Sequence, residues 1–253
     1  MKKPLFKTIL VILTALGGIS LISMGNSPVK TENNAVLIQL FTSQGCSSCP
    51  PADRLLNEIA KKYADDNVHV LSYHVDYWDR LGWKDTFSQK TYSEKQYAYA
   101  KIFNLNTVYT PQAIVNGATE FVGSNHTRMQ DAIEDYTKLS EKAQISLQAQ
   151  RNADYVAISY ETTAMQTGDK LTFSLFIPEK NTAVVRGENK GKKLLSKNIV
   201  LLEKQTAQTQ GKIAIHIPDT FKIENFGIMA YLQNEKKKVK AVAEEKHIKT
   251  DQL

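Results

Sequence analysis

The sequence is poor in the residues that build metal sites and disulfide frameworks. It contains only two cysteines and five histidines in 253 residues. A structural zinc site of the ribbon type needs a second cysteine pair, and a disulfide scaffold needs several bridges. Both classes of protein are therefore excluded, and any chemistry of the cysteines belongs to this single pair.

Other features are missing as well. The sequence shows no internal repeat and no low-complexity tract, and its basic residues do not interleave with aromatic ones as they do in many nucleic-acid-binding proteins. The formal net charge is +6, and Lys2, Lys3 and Lys7 supply three of these charges. A chain cleaved near residue 25 carries about +3. We expect no nucleic-acid partner.

The N-terminus has the pattern of an export signal. Three lysines precede an uncharged, mostly apolar run at residues 8–24, and small residues stand at 23 and 25. We predict a signal peptide at 1–25 and a polar linker at 26–34, with an uncleaved membrane anchor as the alternative. No cysteine follows the run, so a lipid-modified N-terminus is not expected. The predicted location is periplasmic or secreted.

Residues 35–141 alternate between strand and helix patterns. Continuous apolar or β-rich runs predict strands, and apolar residues at three- and four-residue spacing predict helices. The predicted order is strand 35–40, helix 51–64, strand 68–75, helix 91–103, strands 113–115 and 119–122 around the Asn116-Gly117 turn, and helix 127–139. This order suits a mixed sheet with helices on both faces.

Residues 142–253 follow a different period. Apolar and polar residues alternate over several short segments, as in Leu171–Ile177 and Ile228–Leu232. This alternation predicts an antiparallel β-sandwich as a second domain. The second half shows no catalytic constellation, and its expected roles are scaffold, dimer surface or partner binding.

Cys46 and Cys49 form a C-x-x-C between the first predicted strand and the first predicted helix. A bridge this short constrains little of the unfolded chain, so the spacing favours redox chemistry or soft-metal binding over a structural role. The start of a helix favours a thiolate. We expect Cys46 to be the more exposed nucleophile and Cys49 to resolve the mixed disulfide. Copper(I) bound by both cysteines and His74 is the alternative.

Two further segments are candidates for the same site. Thr110-Pro111 precedes a predicted strand, and its peptide bond is either cis or trans. The segment after the second predicted strand holds Asp76, Trp78 and Trp83, which suits a rim that grips a partner; packing in a satellite core is the alternative. Asp53 is most simply a first-turn acid of the helix, with proton transfer to Cys49 as the less favoured role.

These motifs resemble the thioredoxin superfamily, and more closely the exported bacterial family called domain of unknown function 1223. The matching runs are 40–53, which includes the C-x-x-C, 74–79, 81–85, 109–112, Gly187-Glu-Asn189 and 198–200. The resemblance implies a thioredoxin-like domain in which Pro111 is cis and faces the dithiol, while Thr110 offers backbone to a bound peptide. Unlike thioredoxins, the chain lacks Trp before Cys46 and Gly-Pro between the cysteines.

The sequence thus predicts an α/β thioredoxin-like domain at 35–141 followed by an all-β sandwich domain at 142–253. The predicted function is exported thiol–disulfide exchange, with Cys46 and Cys49 as catalytic residues and Asp76, Trp78, Trp83, Thr110 and Pro111 as substrate-binding residues. No cofactor is expected, and the partner is a protein or small-molecule thiol or disulfide. Copper binding and a non-catalytic interaction module with a static disulfide remain the alternatives.

Overall fold

The protein, described by a computed structural model, is built on two β-sheets with helices against the larger one. The structure describes residues 29–30, 35–139, 142–221, 225–246 and 248. The predicted signal peptide at 1–25 lies outside the described residues, and so does the predicted linker at 26–34 except for residues 29–30. Within the described ranges, no helix is long and apolar enough to cross a membrane.

The described residues form twelve strands, three α-helices and two short 3-10 helices. The strands are β1 (Val29–Lys30), β2 (Val36–Thr42), β3 (Val68–His74), β4 (Gln112–Val115), β5 (Thr119–Val122), β6 (Ile145–Arg151), β7 (Tyr155–Thr162), β8 (Lys170–Ala183), β9 (Lys193–Thr206), β10 (Gln210–His216), β11 (Gly227–Gln233) and β12 (Val239–Glu245). The helices are α1 (Pro50–Lys62), α2 (Lys90–Ile102) and α3 (His126–Thr137), with 3-10 turns at Asp76–Leu81 and Asp219–Phe221.

β2 lies inside the larger sheet with both of its faces covered. It runs parallel to β3 and antiparallel to β4, and all seven of its residues are buried. Successive side chains of a strand point to opposite faces. Ile38 and Leu40 therefore pack with residues of α1 and α3, whereas Leu37 and Phe41 pack with residues of α2. The helices and strands predicted between 35 and 139 agree with the structure to within two residues.

The predicted fold class, a thioredoxin-like domain followed by a separate β-sandwich, is wrong. The larger sheet has eight strands in the order β12-β11-β8-β9-β3-β2-β4-β5. Four of them come from the second half of the chain, and β9 pairs in parallel with β3 at Ser72 and Ile199. The Ser72 Oγ donates to the carbonyl of Lys197 over 2.6 Å, and the side-chain amide of Asn198 donates to the carbonyl of Val70 over 2.9 Å. One sheet therefore crosses the expected boundary.

The burial of β8 and β11 shows why the alternating pattern misled the prediction. All seven residues of β11 are buried, and so are residues 171–177 of β8. The residues between the alternating apolar positions, such as Phe176, Met229 and Tyr231, pack on the α2 face of the sheet. Alternation indicates an extended strand, but it does not say which sheet the strand joins or whether its second face meets water.

The smaller sheet has the order β1-β6-β7-β10, and its described pairs are antiparallel. Ile145, Leu147, Val156 and Ile158 share an apolar core with residues of β8, β9 and β11 in the larger sheet. The predicted alternating segments Leu171–Ile177 and Ile228–Leu232 are confirmed as strands, but they lie in the large sheet as parts of β8 and β11. The strands of the smaller sheet form a layer on the large sheet instead of an independent domain.

A buried polar group, which we call the Glu203 cluster, joins α2 to the strands of the large sheet. The Oε1 atom of Glu203 accepts hydrogen bonds of 2.8 Å from Tyr73, Ser174 and Tyr231, and its Oε2 atom accepts one of 2.7 Å from Lys95. Burial alone would raise the pKa of Glu203, but the Lys95 ammonium and these donors hold it below its ordinary value. Side chains from both halves of the chain thus share one largely buried ion pair, in which the side chains of Lys95 and Glu203 are 11% and 16% exposed.

Candidate functional site

Cys46 and Cys49 form a disulfide at the junction between β2 and α1. Their Cα atoms are 5.4 Å apart. The amide of Cys49 donates to the carbonyl of Cys46 over 3.2 Å, which closes a turn around Ser47 and Ser48. Pro50 and Pro51 occupy the first turn of α1, where a missing N–H is tolerated. The local sequence therefore places the bridge at the positive end of a helix.

Both cysteines are fully buried, with exposed fractions of 0%. The expectation that Cys46 is the more exposed of the two is therefore wrong. Ser47 and Ser48 between them are exposed. Three segments far apart in the sequence contact the loop that carries the disulfide, namely residues 78–85, residues 109–111 and residues 187–189.

Thr110 and Pro111 lie beside the disulfide loop, and the peptide bond between them is cis. The hydroxyl of Ser48 lies 3.3 Å from the Sγ atom of Cys46 and can donate to the carbonyl of Thr110 over 3.3 Å. Pro111 is buried, and Thr110 is half-buried. The structure thus brings together the C-x-x-C and the Thr110-Pro111 pair, as the sequence predicted.

Both tryptophans also reach the site. The Trp78 indole donates to the hydroxyl of Thr110 over 2.8 Å, and a Cβ built on Gly45 would lie 3.4 Å from the Cβ of Trp78. The Trp83 indole donates to the side-chain carbonyl of Gln44 over 3.2 Å. Both tryptophan residues are half-buried.

Asp76 lies in the same segment but makes a different contact. Its Oδ1 atom accepts a hydrogen bond of 2.5 Å from Ser93 in α2, and its amide donates to the same hydroxyl over 3.2 Å. These bonds fasten the 3-10 helix to α2. The structure gives Asp76 an anchoring contact and no contact to the cysteine loop.

His74 and Asp85 form a buried pair behind the disulfide loop. The Nδ1 atom of His74 lies 2.7 Å from the Oδ2 atom of Asp85, which also accepts the Gln44 amide over 2.8 Å. The Nε2 atom of His74 is buried and has no hydrogen-bond partner. Burial alone would lower the pKa of His74, but the negative charges of Asp85, Asp53 and Asp79 outweigh it and raise this pKa above its ordinary value.

Asp85 responds in the opposite direction. Burial alone would raise the pKa of its carboxyl, but His74 and the amides of Gln44 and Phe87 hold this pKa below its ordinary value. No role of Asp85 is predicted from the sequence, because this residue lies 39 positions after Cys46 in an irregular segment. The signal that could have found it is its place in the run 81–85, which the family resemblance included.

Asp53 is the third charged group near the disulfide. Its Oδ1 atom accepts a hydrogen bond of 3.0 Å from Thr42, and its amide donates to the carbonyl of Cys49 over 3.1 Å. Protein atoms surround the carboxyl group although the residue keeps some contact with solvent, and this desolvation raises the pKa of Asp53 to about 6. A carboxyl group with this pKa can give or take a proton near neutral pH.

The second half of the chain supplies the remaining contacts. The side-chain amide of Asn189 donates to the carbonyls of Gln44 and Cys46 over 2.9 and 2.8 Å, and the Ser47 amide donates to the carboxylate of Glu188 over 3.1 Å. The sequence predicted no catalytic constellation in this half, and it did not predict that residues of this half contact the disulfide loop. The family resemblance included residues 187–189, but it assigned them no role.

The structure does not test the predicted copper site. Within the described ranges, no group of three or more His, Cys, Asp or Glu side chains is placed to hold a metal ion. Of the proposed ligands, His74 uses its Nδ1 atom for Asp85. His69, the other histidine of β3, lies 2.7 Å from Glu244 instead. Copper(I) binding stays a prediction of the sequence.

Comparisons with known proteins give a family. The family described as "Protein of unknown function (DUF1223)" matches residues 37–233 of this chain. A crystal structure of a protein from Agrobacterium tumefaciens is 26% identical, with a TM-score of 0.61 over 86% of this chain and 96% of that one. No curated protein matches the chain. The family match includes the disulfide loop as well as the residues from the second half that contact it.

Proposed function

The chain belongs to the family of proteins of unknown function 1223, and we propose that it is an exported thiol–disulfide oxidoreductase acting through Cys46 and Cys49. The observation that carries this proposal is the bridge itself. The only two cysteines of the sequence form a disulfide that encloses two residues at the start of α1. A bridge this short adds little stability by restricting the unfolded chain, whereas a C-x-x-C at a helix start has its thiolate favoured.

The proposed exchange is a two-electron transfer between a dithiol and a disulfide. A partner thiolate attacks Sγ of Cys46 and forms a mixed disulfide, while the Cys46–Cys49 bond breaks and its electron pair leaves on Sγ of Cys49. A second partner thiolate then attacks the partner sulfur of the mixed disulfide and releases Cys46 as a thiolate. The partner becomes a disulfide, and the protein gains two electrons and takes up two protons. The reverse sequence oxidises the protein and reduces a partner disulfide.

Asp53 supports this chemistry as the proton carrier for Cys49. Its amide contacts the carbonyl of Cys49, so it stands one helical turn beyond this cysteine. A carboxyl group of pKa about 6 is partly protonated near neutral pH, so it can protonate the leaving Cys49 thiolate and take the proton back in the reverse direction. From the sequence, proton transfer is the less favoured role of Asp53, and its raised pKa supports this role.

The test is turnover of a model disulfide with the mature protein. We expect reduction of insulin by dithiothreitol to be accelerated by the wild-type protein and by a Ser47→Ala variant, which keeps both cysteines. Cys46→Ser should abolish the acceleration, and Cys49→Ser should trap a mixed disulfide visible by mass spectrometry. Full activity of the Cys46→Ser variant would contradict the mechanism.

Export is part of the proposal and rests on the sequence of residues 1–25 alone. N-terminal sequencing of the protein recovered outside the cytoplasm tests it, with a new N-terminus near residue 26 as the expected result. A relationship to the thioredoxin superfamily also stays a proposal, supported by the C-x-x-C before α1 and the neighbouring Thr110-Pro111 pair. The exchange chemistry does not depend on that relationship.

The complete burial of both cysteines favours a second candidate function, a non-catalytic interaction module with a static disulfide. The reduction potential of the bridge separates the two functions. Structural disulfides of exported proteins lie below about −300 mV, whereas exchange enzymes lie above that value. Equilibration with glutathione and dithiothreitol buffers measures the potential, and we expect a value above about −300 mV.

A further inference from the structure

The connection between β8 and β9 lies against the disulfide loop, and we call residues 187–189 the cover segment. Asn189 is fully buried and uses both of its amide hydrogens on the loop, one on Gln44 and one on Cys46. Its own side-chain carbonyl accepts a bond of 2.9 Å from Lys192. The side chain thus joins two segments that are more than 140 residues apart in the sequence.

Two neighbouring residues complete the cover segment. The carboxylate of Glu188 accepts the Ser47 amide, and Gly187 has a φ of +72°. A Cβ on Gly187 would lie 3.1 Å from the Cβ of Trp83, so glycine allows the segment to approach this tryptophan closely. The cover segment therefore meets the disulfide loop on one side and the tryptophan segment on the other.

The burial of the sulfur atoms has a direct chemical consequence. Disulfide exchange needs a thiolate to reach one sulfur atom, and neither cysteine has any exposed surface in this arrangement. Of the three segments that contact the loop, residues 109–111 lead straight into β4, and within residues 78–85 Asp79 accepts hydrogen bonds from Ser88 and from the backbone amide of Asp85. The cover segment lies between β8 and β9, and Val185, Arg186 and Glu188 in this connection are exposed. Residues 187–189 belong to no strand, so displacing them would break no strand pairing.

We propose that the cover segment closes the Cys46–Cys49 disulfide in the resting protein and is displaced by an extended polypeptide partner, so that small free thiols react slowly. The inference rests on the proposed function and names its substrate class. Displacement frees the carbonyls of Gln44 and Cys46 together with the Ser47 amide, which are two acceptors and one donor on neighbouring residues. An extended peptide backbone presents matching donors and acceptors, whereas a small thiol such as glutathione replaces fewer of these bonds.

The first experiment measures access to the disulfide. The oxidised protein is incubated with excess glutathione, which donates two electrons and two protons per bridge and becomes glutathione disulfide, and the freed cysteines are trapped by alkylation. We expect Asn189→Ala to raise the reduction rate at least tenfold, because it removes two hydrogen bonds of the closed state. Glu188→Ala, at an exposed position that does not endanger folding, should raise the rate severalfold. Asn181→Ala in β8 is the matched control and should leave it unchanged.

The second experiment measures partner preference. Reduced, unfolded ribonuclease A provides an extended polypeptide dithiol, and its rate per thiol is compared with that of glutathione. We expect the wild-type protein to prefer the polypeptide at least tenfold and the Asn189→Ala protein to lose most of this preference. A wild-type protein without preference, or folded Asn189→Ala and Glu188→Ala variants with unchanged glutathione rates, would overturn the proposal.

These outcomes are separate from the fate of the proposed function. Access of glutathione to the bridge is measured without any turnover. If the protein fails to accelerate insulin reduction but Asn189→Ala still makes its disulfide accessible to glutathione, the role of the cover segment is supported and the oxidoreductase function is rejected. If the protein is active but its disulfide is equally accessible in all variants, the oxidoreductase function is supported and the role of the cover segment is rejected.

Discussion

Two buried groups of charged side chains lie on β3 and its neighbours, and they differ in how completely they are satisfied. In the Glu203 cluster, both carboxylate oxygens accept hydrogen bonds, and Lys95 also donates to Tyr231 over 2.8 Å. The His74 cluster, made of His74, Asp85 and Asp53, leaves the Nε2 atom of His74 without a partner. Buried polar groups that are fully paired fix a structure, whereas an unpaired one costs stability and points to a function.

The clusters also differ in how they hold protons. The pKa of Glu203 is below its ordinary value, so this carboxylate stays charged at neutral pH. In the His74 cluster the pKa of His74 is raised, and burial raises that of Asp53 to about 6. Asp53 in the His74 cluster therefore changes charge near neutral pH, and this cluster is the one beside the disulfide. We therefore expect the Glu203 cluster to stabilise the fold and the His74 cluster to take part in disulfide exchange.

The largest expected effect comes from breaking the structural cluster. Glu203→Gln leaves the buried Lys95 ammonium without its counter-charge, so we expect the free energy of unfolding to fall by about 3–5 kcal/mol in urea titrations. The rate of disulfide exchange in the protein that remains folded should not change. Glu134→Gln removes an exposed ion pair with Lys138 and is the matched control, with no measurable loss of stability expected. A fall in exchange rate without a fall in stability would reverse the assignment of the Glu203 cluster.

A smaller effect on stability is expected from Asp85→Asn. The new amide oxygen can still accept the Gln44 amide, and His74 can become neutral instead of remaining an unpaired buried charge. We therefore expect a loss of about 2 kcal/mol. Because Asp85 raises the pKa of His74, this pKa should fall in the variant, and NMR titration of the imidazole protons measures the change. An unchanged His74 titration would contradict the pairing described here.

The pH dependence of the wild-type His74–Asp85 pair has a definite sign. The folded-state pKa of His74 is raised, so its contribution is complete below the ordinary value of 6.5 and is lost as pH rises through the higher folded value. The folded-state pKa of Asp85 is lowered, so its contribution is complete above 3.8 and is lost as pH falls through the lower folded value. The pair therefore stabilises the protein fully between about pH 4 and 6.5.

Asp53→Asn should change stability with the opposite sign, and only at the higher pH. The pKa of Asp53 is raised to about 6, so the native protein binds its proton more tightly than the unfolded chain does. Its contribution therefore falls as pH rises from about 4 to 6. We expect the variant to equal wild type at pH 4 and to exceed it by up to about 3 kcal/mol at pH 7, measured by urea unfolding. Its disulfide exchange should be slower near pH 7.

The exposed acid Asp131 in α3 provides the control for this measurement. Asp131→Asn should match wild type in stability at both pH values and in exchange rate. If Asp53→Asn shows faster exchange at pH 7, the proton-carrier role is wrong, although the disulfide chemistry can stand. If Asp53→Asn has the same stability as wild type at pH 7, the statement that burial raises the pKa of the Asp53 carboxyl group is wrong.

The local structure around the site could be predicted from the sequence, and its long-range contacts could not. Continuous apolar or β-rich runs located β2 and β3, the 3.6-residue period located α1, and the C-x-x-C marked the candidate site at their junction. The partners of that junction come from elsewhere. Asp85 lies in an irregular segment, and Asn189 lies more than 140 residues from Cys46, where no local pattern predicts a contact.

The error in the fold class has the same cause. The pattern of β9 shows that it is extended, but nothing in it says that residue 199 pairs with Ser72 of β3. Glu203, in the same strand, has the pattern of a residue on a solvated face, yet it lies at the centre of a buried cluster. Pairing between distant strands depends on the whole packed structure, so periodicity alone left it undetermined.

The pairing of β3 with β9 has a practical consequence for shortened forms of the protein. A fragment that ends at residue 141 would contain the disulfide loop, α1 and Thr110-Pro111, and would look like a minimal redox unit. It would also leave β3 as an edge strand with unpaired backbone groups, and it would remove Phe176, Val200 and Tyr231 from the apolar cluster that contains Leu71 and Tyr73. Such edges recruit other chains. Expressing the first half alone should therefore give aggregates, and the smallest soluble form of this protein includes both halves.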